Sequence, residues 1–185
     1  MGANAPLLTL RPVQAKDLSL YYELYSDPLV MRYTLFDASK NLEAYLPYFL
    51  QTLEDCSRPD RLLYEYVAEL SGATAIGMCN IKLSKTDPGG AEIGYMLLRQ
   101  YWYRGHATAM ARELIGIGFS ELGVRRIAAC CNANNIASER VMQHCGMHQE
   151  ACLKAVRFKN GEWQDELRYV ITYEEWSRNA NESDD

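Results

Sequence analysis

The spacing of apolar residues changes several times along the chain, and each change marks a predicted element. Leucines that alternate with polar residues predict a first strand, and apolar positions three and four residues apart predict two helices after it. Asn41 is a candidate cap for the second helix, although Pro47 lies within its pattern. The predicted elements are strand Leu7–Val13, a helix from Asp17 that stops before Asp27, a loop or short turn over Leu29–Phe36, and helix Asn41–Glu54.

Beyond residue 60 the pattern is mainly that of strands, interrupted by two helical stretches. Glycine-containing turns separate the strands, and Asn160-Gly161 predicts a tight hairpin. The predicted elements are strands Leu62–Leu70, Ala75–Leu83 and Ala91–Leu98, helix His106–Leu122, the largely apolar strand Arg126–Cys131, helix Asn135–His144, strands from Gly146 to Phe158 and from Gln164 to Thr172, and a frayed polar tail from Arg178.

The order β-α-α-β-β-β-α-β-α-β-β predicts an α/β (α+β) fold with one central mixed sheet and helices on both faces. No repeat or linker divides the chain, so we expect a single domain over residues 7–176 and a polar, acidic tail over 177–185. The content of 48% apolar and 23% charged residues is that of an ordinary globular protein. Without a secretory pattern or an apolar run of ~18 residues, we expect a soluble, cytoplasmic protein with no membrane partner.

Charge and cysteine content narrow the possible partners. The formal charge of −5 lacks the positive field that nonspecific DNA binding requires, so we expect no nucleic-acid partner. The six cysteines include no CxxC pair, and without an export signal we expect free thiols. His144, Cys145 and His148 resemble a metal cluster in composition only, because Gly146 should end any helix that would align them. We therefore predict no metal site.

Two turns that lead from strands into helices are candidates for chemistry. At Arg104-Gly105-His106, a helix begins directly after a glycine, which would let an anion approach the free N–H groups of the first turn. A simple helix-entry turn is the alternative. At Asn135-Ile136-Ala137-Ser138, Asn135 is spaced as a helix cap, but capping does not require the hydroxyl of Ser138.

Together these segments resemble the paired motifs of the GNAT N-acetyltransferase superfamily, and the order of elements matches as well. Gly105-His106-Ala107 falls where the pyrophosphate loop of the family ends, and Asn135-x-x-Ser138 followed by Gly146-Met147 resembles its fifth-strand and helix motif. The resemblance extends from Leu7 to Trp176 and implies a GNAT-type, mostly antiparallel sheet. The segments similar to the ribosomal-protein-alanine N-acetyltransferase branch are Glu92-Ile93-Gly94-Tyr95, Tyr101-Trp102, Gly105-His106-Ala107-Thr108 and Phe158–Trp176.

The resemblance implies acetyl-CoA as a cosubstrate, bound without metal where the fourth and fifth strands separate. Asn135 would face the pantetheine arm from the side opposite the fourth strand, and Glu92 would act as a base, directly or through water. A solvated strand carboxylate is the alternative for Glu92. The implied cofactor-binding residues are Arg104, Gly105, His106, Ala107 and Thr108 for the pyrophosphate and Tyr95, Met96 and Leu97 for the arm.

The sequence departs from the family pattern at two positions. Tyr103 stands where the loop often carries glycine, which could change the first half of the loop. Met142 stands where many members carry a catalytic tyrosine, so the resembling branch implies Ser138 as the catalytic hydroxyl. The acceptor side would include Tyr33 and Trp163, since the early helices and the late hairpin line it in that branch.

We therefore expect an acetyltransferase that acts on a primary amine, with a protein N-terminus of the ribosomal type as the favoured acceptor. A small amine such as an antibiotic or polyamine, and a non-catalytic CoA-binding module, are the alternatives. A covalent acetyl-cysteine mechanism is disfavoured because no cysteine lies in a family motif. The chain is expected to be a monomer or a homodimer.

Overall fold

The computed structural model describes residues 8–182, which form seven strands and five α-helices. Leu7, where the first strand and the domain were predicted to begin, and residues 183–185 lie outside this range. The strands are β1 (Leu8–Pro12), β2 (Leu63–Leu70), β3 (Thr74–Leu83), β4 (Gly90–Leu97), β5 (Arg126–Asn132), β6 (His148–Lys159) and β7 (Glu162–Thr172), and the helices are α1 (Leu18–Ser26), α2 (Leu42–Ser57), α3 (His106–Ser120), α4 (Ile136–His144) and α5 (Tyr173–Glu182).

One mixed sheet contains all seven strands, in the order β1-β2-β3-β4-β5-β7-β6. Its neighbours are antiparallel except for β4 and β5, which are parallel and are joined through α3. At the tip of the β6–β7 hairpin, Asn160 and Gly161 have φ values of 53° and 81°, as a two-residue turn requires. The predicted α/β fold with a mostly antiparallel sheet is confirmed.

Helices cover both faces of the sheet. On one face, α1 and α2 bury Tyr21, Leu24 and Phe49 against Val67 and Met78 of the sheet. On the other face, α3 and α4 pack into a larger cluster that includes Met110, Leu114, Ile127 and Met142. Removing such large apolar side chains from water supplies the main driving force for the layered arrangement. None of the helices within residues 8–182 is long and apolar enough to cross a membrane.

Two helices differ from the sequence prediction. α2 runs on to Ser57 despite Pro47, and Asn41 caps it as predicted, since its Oδ1 accepts from Ala44 N at 2.8 Å. α5 was not predicted, and the expected frayed tail is wrong as far as Glu182. This helix is held by ring contacts of Trp176 with Phe119 of α3, and such a tertiary contact leaves no signal in a segment of low mean hydropathy.

Candidate functional site

The parallel pairing of β4 with β5 is short, and the two strands then separate. Only three residue pairs join them, from Gly90 opposite Arg126 to Glu92 opposite Ala128. β4 continues for five more residues with β3 as its only strand partner, while β5 continues against β7. A gap therefore opens between two strands in the middle of the sheet, as the resemblance implied.

The register of β4 determines which backbone groups face this gap. At one end of β4, Gly90 O accepts from Ser84 N, directly after β3. At the other end, the N–H of Leu98 donates to Ile76 O of β3. Because strand hydrogen bonding alternates in direction, even-numbered residues face β3 and odd-numbered residues face the gap. Accordingly, Leu97 O does not face β3 but accepts from Trp102 Nε1 at 2.8 Å.

This alternation corrects one predicted contact of the pantetheine arm. The backbone of Met96 faces β3 and pairs with Met78, and its side chain packs with α1 and α2. The backbone N–H and C=O of Tyr95 and the N–H of Leu97 face the gap. The predicted strand-edge partners are thus reduced to Tyr95 and Leu97.

The loop before α3 has the geometry of an anion-binding turn. Gly105 is the residue before the helix and has a φ of 80°, with open space where a side chain would begin. The first intrahelical hydrogen bond runs from Ala109 N to Gly105 O, so the N–H groups of His106, Ala107 and Thr108 precede it. These donors, together with the positive end of the helix dipole, fit a diphosphate.

Tyr103 adopts the conformation that glycine would supply in the same loop. Its φ is 60°, and its side chain is 92% exposed, with the ring edge-on to Trp102. The substitution of tyrosine for glycine therefore leaves the left-handed turn in place, at a cost in backbone strain on the order of 1 kcal/mol.

The charge at this loop comes from Arg104 and not from the neighbouring histidine. Arg104 is exposed and has no ion pair within residues 8–182. Burial, and to a smaller extent the charge of Arg104, lower the pKa of His106 from its usual range. The imidazole is therefore neutral at pH 7, and Arg104 is the cation beside the free amides.

At α4, Asn135 is a cap and Ser138 faces the strand gap. Asn135 Oδ1 accepts from Ser138 N at 3.3 Å, which confirms the predicted capping. Ser138 Oγ lies 3.0 Å from the hydroxyl oxygen of Tyr95, which also donates to Ser138 O at 3.2 Å. The side chain of Tyr95 thus reaches from β4 to α4 and forms a hydroxyl pair with Ser138.

The Tyr95 hydroxyl is a functional candidate that the sequence reasoning missed. Burial raises the pKa of Tyr95 well above its usual value, so the phenol keeps its proton at physiological pH. Met142, at the usual tyrosine position, is buried in the core. A hydroxyl from β4 therefore lies beside the first turn of α4, whereas position 142 of that helix carries none. The signal was the position of Tyr95 in the alternating pattern of β4, two residues after Ile93.

Glu92 faces a cavity on the sheet surface that α1 and α2 leave uncovered. The cavity measures about 600 Å³. Glu92 is exposed and has no ion pair within the described residues, although Lys82 is its direct neighbour on β3. The polar and charged residues that line the cavity are Asn80, Lys82, Ser84, Lys85, Thr86, Asp87, Glu92, Arg126 and Arg168.

Tyr33 and Trp163, the predicted acceptor contacts, lie outside the lining of this cavity. Their two segments are nevertheless tied together by Lys159 at the end of β6. Its Nζ donates to the carbonyl oxygens of Met31, Thr34 and Phe36 at 2.8, 2.9 and 2.7 Å. Trp163 is 65% exposed and stacks at an angle on Phe158 with ring centroids 5.2 Å apart.

The described residues are not arranged for metal binding or for nucleophilic catalysis by a cysteine. Residues 8–182 contain no group of three His, Cys, Asp or Glu side chains placed to hold a metal ion. All six cysteines are free, and burial raises the pKa of the Cys131 thiol, near Ser138, to about 11. A neutral thiol is a poor nucleophile, which disfavours a covalent acetyl-cysteine.

Comparison with known proteins identifies the family. The model of the acetyltransferase (GNAT) domain matches residues 8–148. The uncharacterized N-acetyltransferase YnaD of Bacillus subtilis (strain 168) is 32% identical over 96% of this chain and 100% of its own. YdaF of the same organism, assigned as a ribosomal N-acetyltransferase, is 33% identical over 46% of this chain and 47% of its own.

The fold is shared with a solved acetyltransferase. Spermidine N-acetyltransferase from Vibrio cholerae, in complex with CoA and spermine, superimposes with a TM-score of 0.81 at 19% identity, over 92% of this chain and 98% of that one. The match of the family model over most of the chain, together with the full-length similarity to YnaD, establishes that the protein belongs to the GNAT acetyltransferase family and is an N-acetyltransferase.

Proposed function

We propose that this N-acetyltransferase transfers the acetyl group of acetyl-CoA to the N-terminal amine of a protein, by direct attack of the amine on the thioester. The observation that carries the proposal is the strand gap, with free helix amides at one end, a carboxylate on one face and a hydroxyl pair on the other. The similarity to YdaF supports an acceptor of the ribosomal type.

The helix amides and the strand edge bind and orient the thioester in this proposal. The N–H groups of residues 106–108 and the guanidinium of Arg104 bind the pyrophosphate. The backbone of Tyr95 and Leu97 pairs with the amide groups of the pantetheine arm, as a neighbouring strand would. Asn135 holds the start of α4, and with it Ser138, in position beside the gap.

Proton transfer is divided between the two faces of the sheet. Glu92 removes a proton from the acceptor amine, directly or through a water molecule, because only the neutral amine attacks the thioester. The new N–C bond forms as the C–S bond breaks, and the sulfur leaves as a thiolate. The hydroxyl pair of Tyr95 and Ser138 stabilises that sulfur through a hydrogen bond, and the thiolate takes up its proton from water as CoA leaves.

Acetylation of a polyamine is the second candidate function, since the structure superimposes well on a spermidine N-acetyltransferase. The two candidates require different acceptors for the same chemistry. CoA thiol release, measured with N-terminal peptides and with spermidine, separates them.

The proposed function predicts turnover of peptides and weak turnover of spermidine. Calorimetry with acetyl-CoA before and after addition of a chelator completes the test. We expect unchanged binding, because the residues proposed to hold CoA are backbone amides and an arginine. Turnover of spermidine alone would replace the first candidate by the second, and tight acetyl-CoA binding without turnover of any amine would refute catalysis.

A further inference from the structure

The cavity beside Glu92 has a charge that is opposite to that of the whole chain. The formal charge of the chain is −5, yet the cavity is lined by four cationic side chains and two carboxylates. The cations are Lys82, Lys85, Arg126 and Arg168, and the carboxylates are Asp87 and Glu92.

The nearby carboxylates do not cancel this excess. Asp87 lies 3.6 Å from Arg125, which does not line the cavity, so its charge is already opposed. Glu150 is shared by two guanidinium groups, since it pairs with Arg126 and lies 3.3 Å from Arg168 Nε. One carboxylate thus faces two lining arginines.

In the described part of the chain, the two lining lysines have no carboxylate partner, and Arg168, whose charge partner is Glu150, keeps an Nε without a hydrogen bond. Within residues 8–182, Lys82 and Lys85 form no ion pair. The Nε of Arg168 is buried, and no described residue accepts a hydrogen bond from it. Glu166, the next acidic residue along β7, pairs with Arg157 and forms no ion pair with Arg168.

From this arrangement we infer that the acceptor carries a carboxylate close to its amine, and that Arg168 and Arg126 hold that carboxylate while Glu92 receives the amine. The inference rests on the proposed function and names its substrate class. An arginine fork binds a carboxylate with two parallel hydrogen bonds, whereas a polycation in the same cavity would meet more cationic than anionic side chains.

The register of the sheet sets the distance between the two groups. Glu92 lies opposite Ala128 on β5, and Arg168 lies opposite Cys130, one strand further and two residues along. Cys130 of β5 lies between the two strands that carry Glu92 and Arg168. Two strand spacings and the two-residue offset together correspond to ~12 Å, the length of three to four extended residues. An acidic side chain within the first three residues of a peptide matches this span.

The test uses three peptides that differ only at positions two and three, which are both Glu, both Gln or both Lys. Spermidine and free glutamate are included as small-molecule acceptors. Calorimetry with the protein–CoA complex measures binding, and CoA release with acetyl-CoA measures turnover. We expect the Glu peptide to bind at least 10-fold more tightly than the Gln peptide, and the Lys peptide to bind most weakly. The Glu preference should shrink at 0.5 M salt.

Variants locate the preference within the cavity. Arg168→Gln should remove most of the preference for Glu over Gln and leave the affinity for CoA unchanged, whereas Arg168→Lys should retain part of it. Arg58→Gln removes an equal charge from an exposed loop and should retain the full preference.

The possible results lead to different conclusions. Equal binding of the Glu and Gln peptides, or tighter binding of the Lys peptide or spermidine, would overturn the inference whether or not acetyl transfer occurs. A clear Glu preference without turnover would support the charge assignment and refute the proposed catalysis. Free glutamate turned over as well as the peptide would identify a small anionic amine as the source of the carboxylate.

Discussion

Gly105 is the residue at which a single side chain should most affect CoA binding. Its φ of 80° and the open space at its Cβ position mean that a side chain there would extend in front of the free amides without contacting the rest of the described structure. Gly105→Asp would add a negative charge where we expect a diphosphate. We predict acetyl-CoA binding weakened by about 30-fold, or ~2 kcal/mol, as measured by calorimetry.

Gly105→Asn is the matched control, because asparagine has the same shape without the charge and also tolerates a positive φ. It should weaken binding much less than the aspartate variant. Equal affinities of the wild type and a folded Gly105→Asp variant would remove the phosphate-binding role of this loop.

Ser138 and Tyr95 should act together in the chemical step. We predict that Ser138→Ala lowers kcat roughly 10- to 100-fold with little change in the KM for acetyl-CoA, since its hydroxyl is proposed to meet charge that develops on sulfur. The helix should persist, because alanine favours helix and Asn135 keeps its cap. Pre-steady-state measurement of the chemical step is the appropriate assay.

Tyr95→Phe provides a partner for a double-mutant cycle. The two hydroxyl oxygens are 3.0 Å apart, so their contributions should be strongly non-additive. The double variant should be little slower than the slower single variant. Additive losses would mean that the two groups act independently, and an unchanged kcat in Ser138→Ala would leave Ser138 as an ordinary helix residue.

Motif spacing was sufficient to place Gly105, Asn135 and Ser138 at the starts of α3 and α4, because helix starts leave a local pattern in the sequence. It could not show that the backbone of Met96 faces β3, or that the Tyr95 hydroxyl reaches Ser138. Which of two adjacent residues faces the gap depends on the register of β4 against β3, and a one-residue change of register exchanges them. In the same way, the contact of Arg168 with Glu150 depends on the register shift in β6 between Gln149 and Ala151.

At the scale of elements, strands and helices with a clear period were predicted to within a few residues. α5 was missed because its few aromatic residues contact α3, about 55 residues earlier in the chain. The hairpin of β6 and β7 was predicted from Asn160-Gly161, but its attachment to the 3₁₀ turn Met31–Tyr33 through Lys159 was not. Long-range hydrogen bonds of this kind leave no local pattern.

The attached hairpin and turn form one surface, and we predict that it contacts acceptors longer than a single amine. Trp163→Ala and Tyr33→Ala should raise the KM of a peptide acceptor roughly 5- to 10-fold and change the KM of acetyl-CoA less than twofold. Tyr48→Ala removes a comparably exposed aromatic ring from α2 and should change neither. Equal effects on both substrates would contradict this placement.

The whole molecule should lose stability as the pH rises from about 4.5 towards neutrality, because of one buried carboxyl group. Glu65 is 6% exposed beneath α1 and α2 and accepts from the Tyr21 hydroxyl at 3.1 Å. Burial raises the pKa of Glu65 to about 7, in spite of opposing hydrogen bonds from Tyr21 and Asn80. Between its unfolded pKa and about pH 7 the folded state retains a proton that the unfolded state releases, so stability falls across this range.

Glu65→Gln should remove this dependence. We predict that the variant equals the wild type near pH 4.5 and exceeds its free energy of unfolding at pH 8, by up to about 3 kcal/mol. Urea unfolding at a series of pH values measures the difference. Glu54→Gln, on the exposed side of α2, is the control and should parallel the wild type. A wild type whose stability rises from pH 5 to pH 8 relative to Glu65→Gln would contradict the assignment.

The short parallel pairing of β4 with β5 also divides the chain into two parts that can be produced as separate polypeptides. Residues 8–120 contain a complete antiparallel meander with α3, and residues 126–182 contain a second antiparallel unit with α4 and α5. Three residue pairs of β4 and β5 join them within the sheet, and the packing of α3, the Lys159 hydrogen bonds and the Tyr95–Ser138 pair join them outside it. Exposed Gly123, in the connecting loop, is therefore a natural place to split the gene. Because the proposed CoA site lies along the boundary between β4 and β5, the cosubstrate would promote association of the two fragments. Acetyl transfer would then report that the fragments have reassembled.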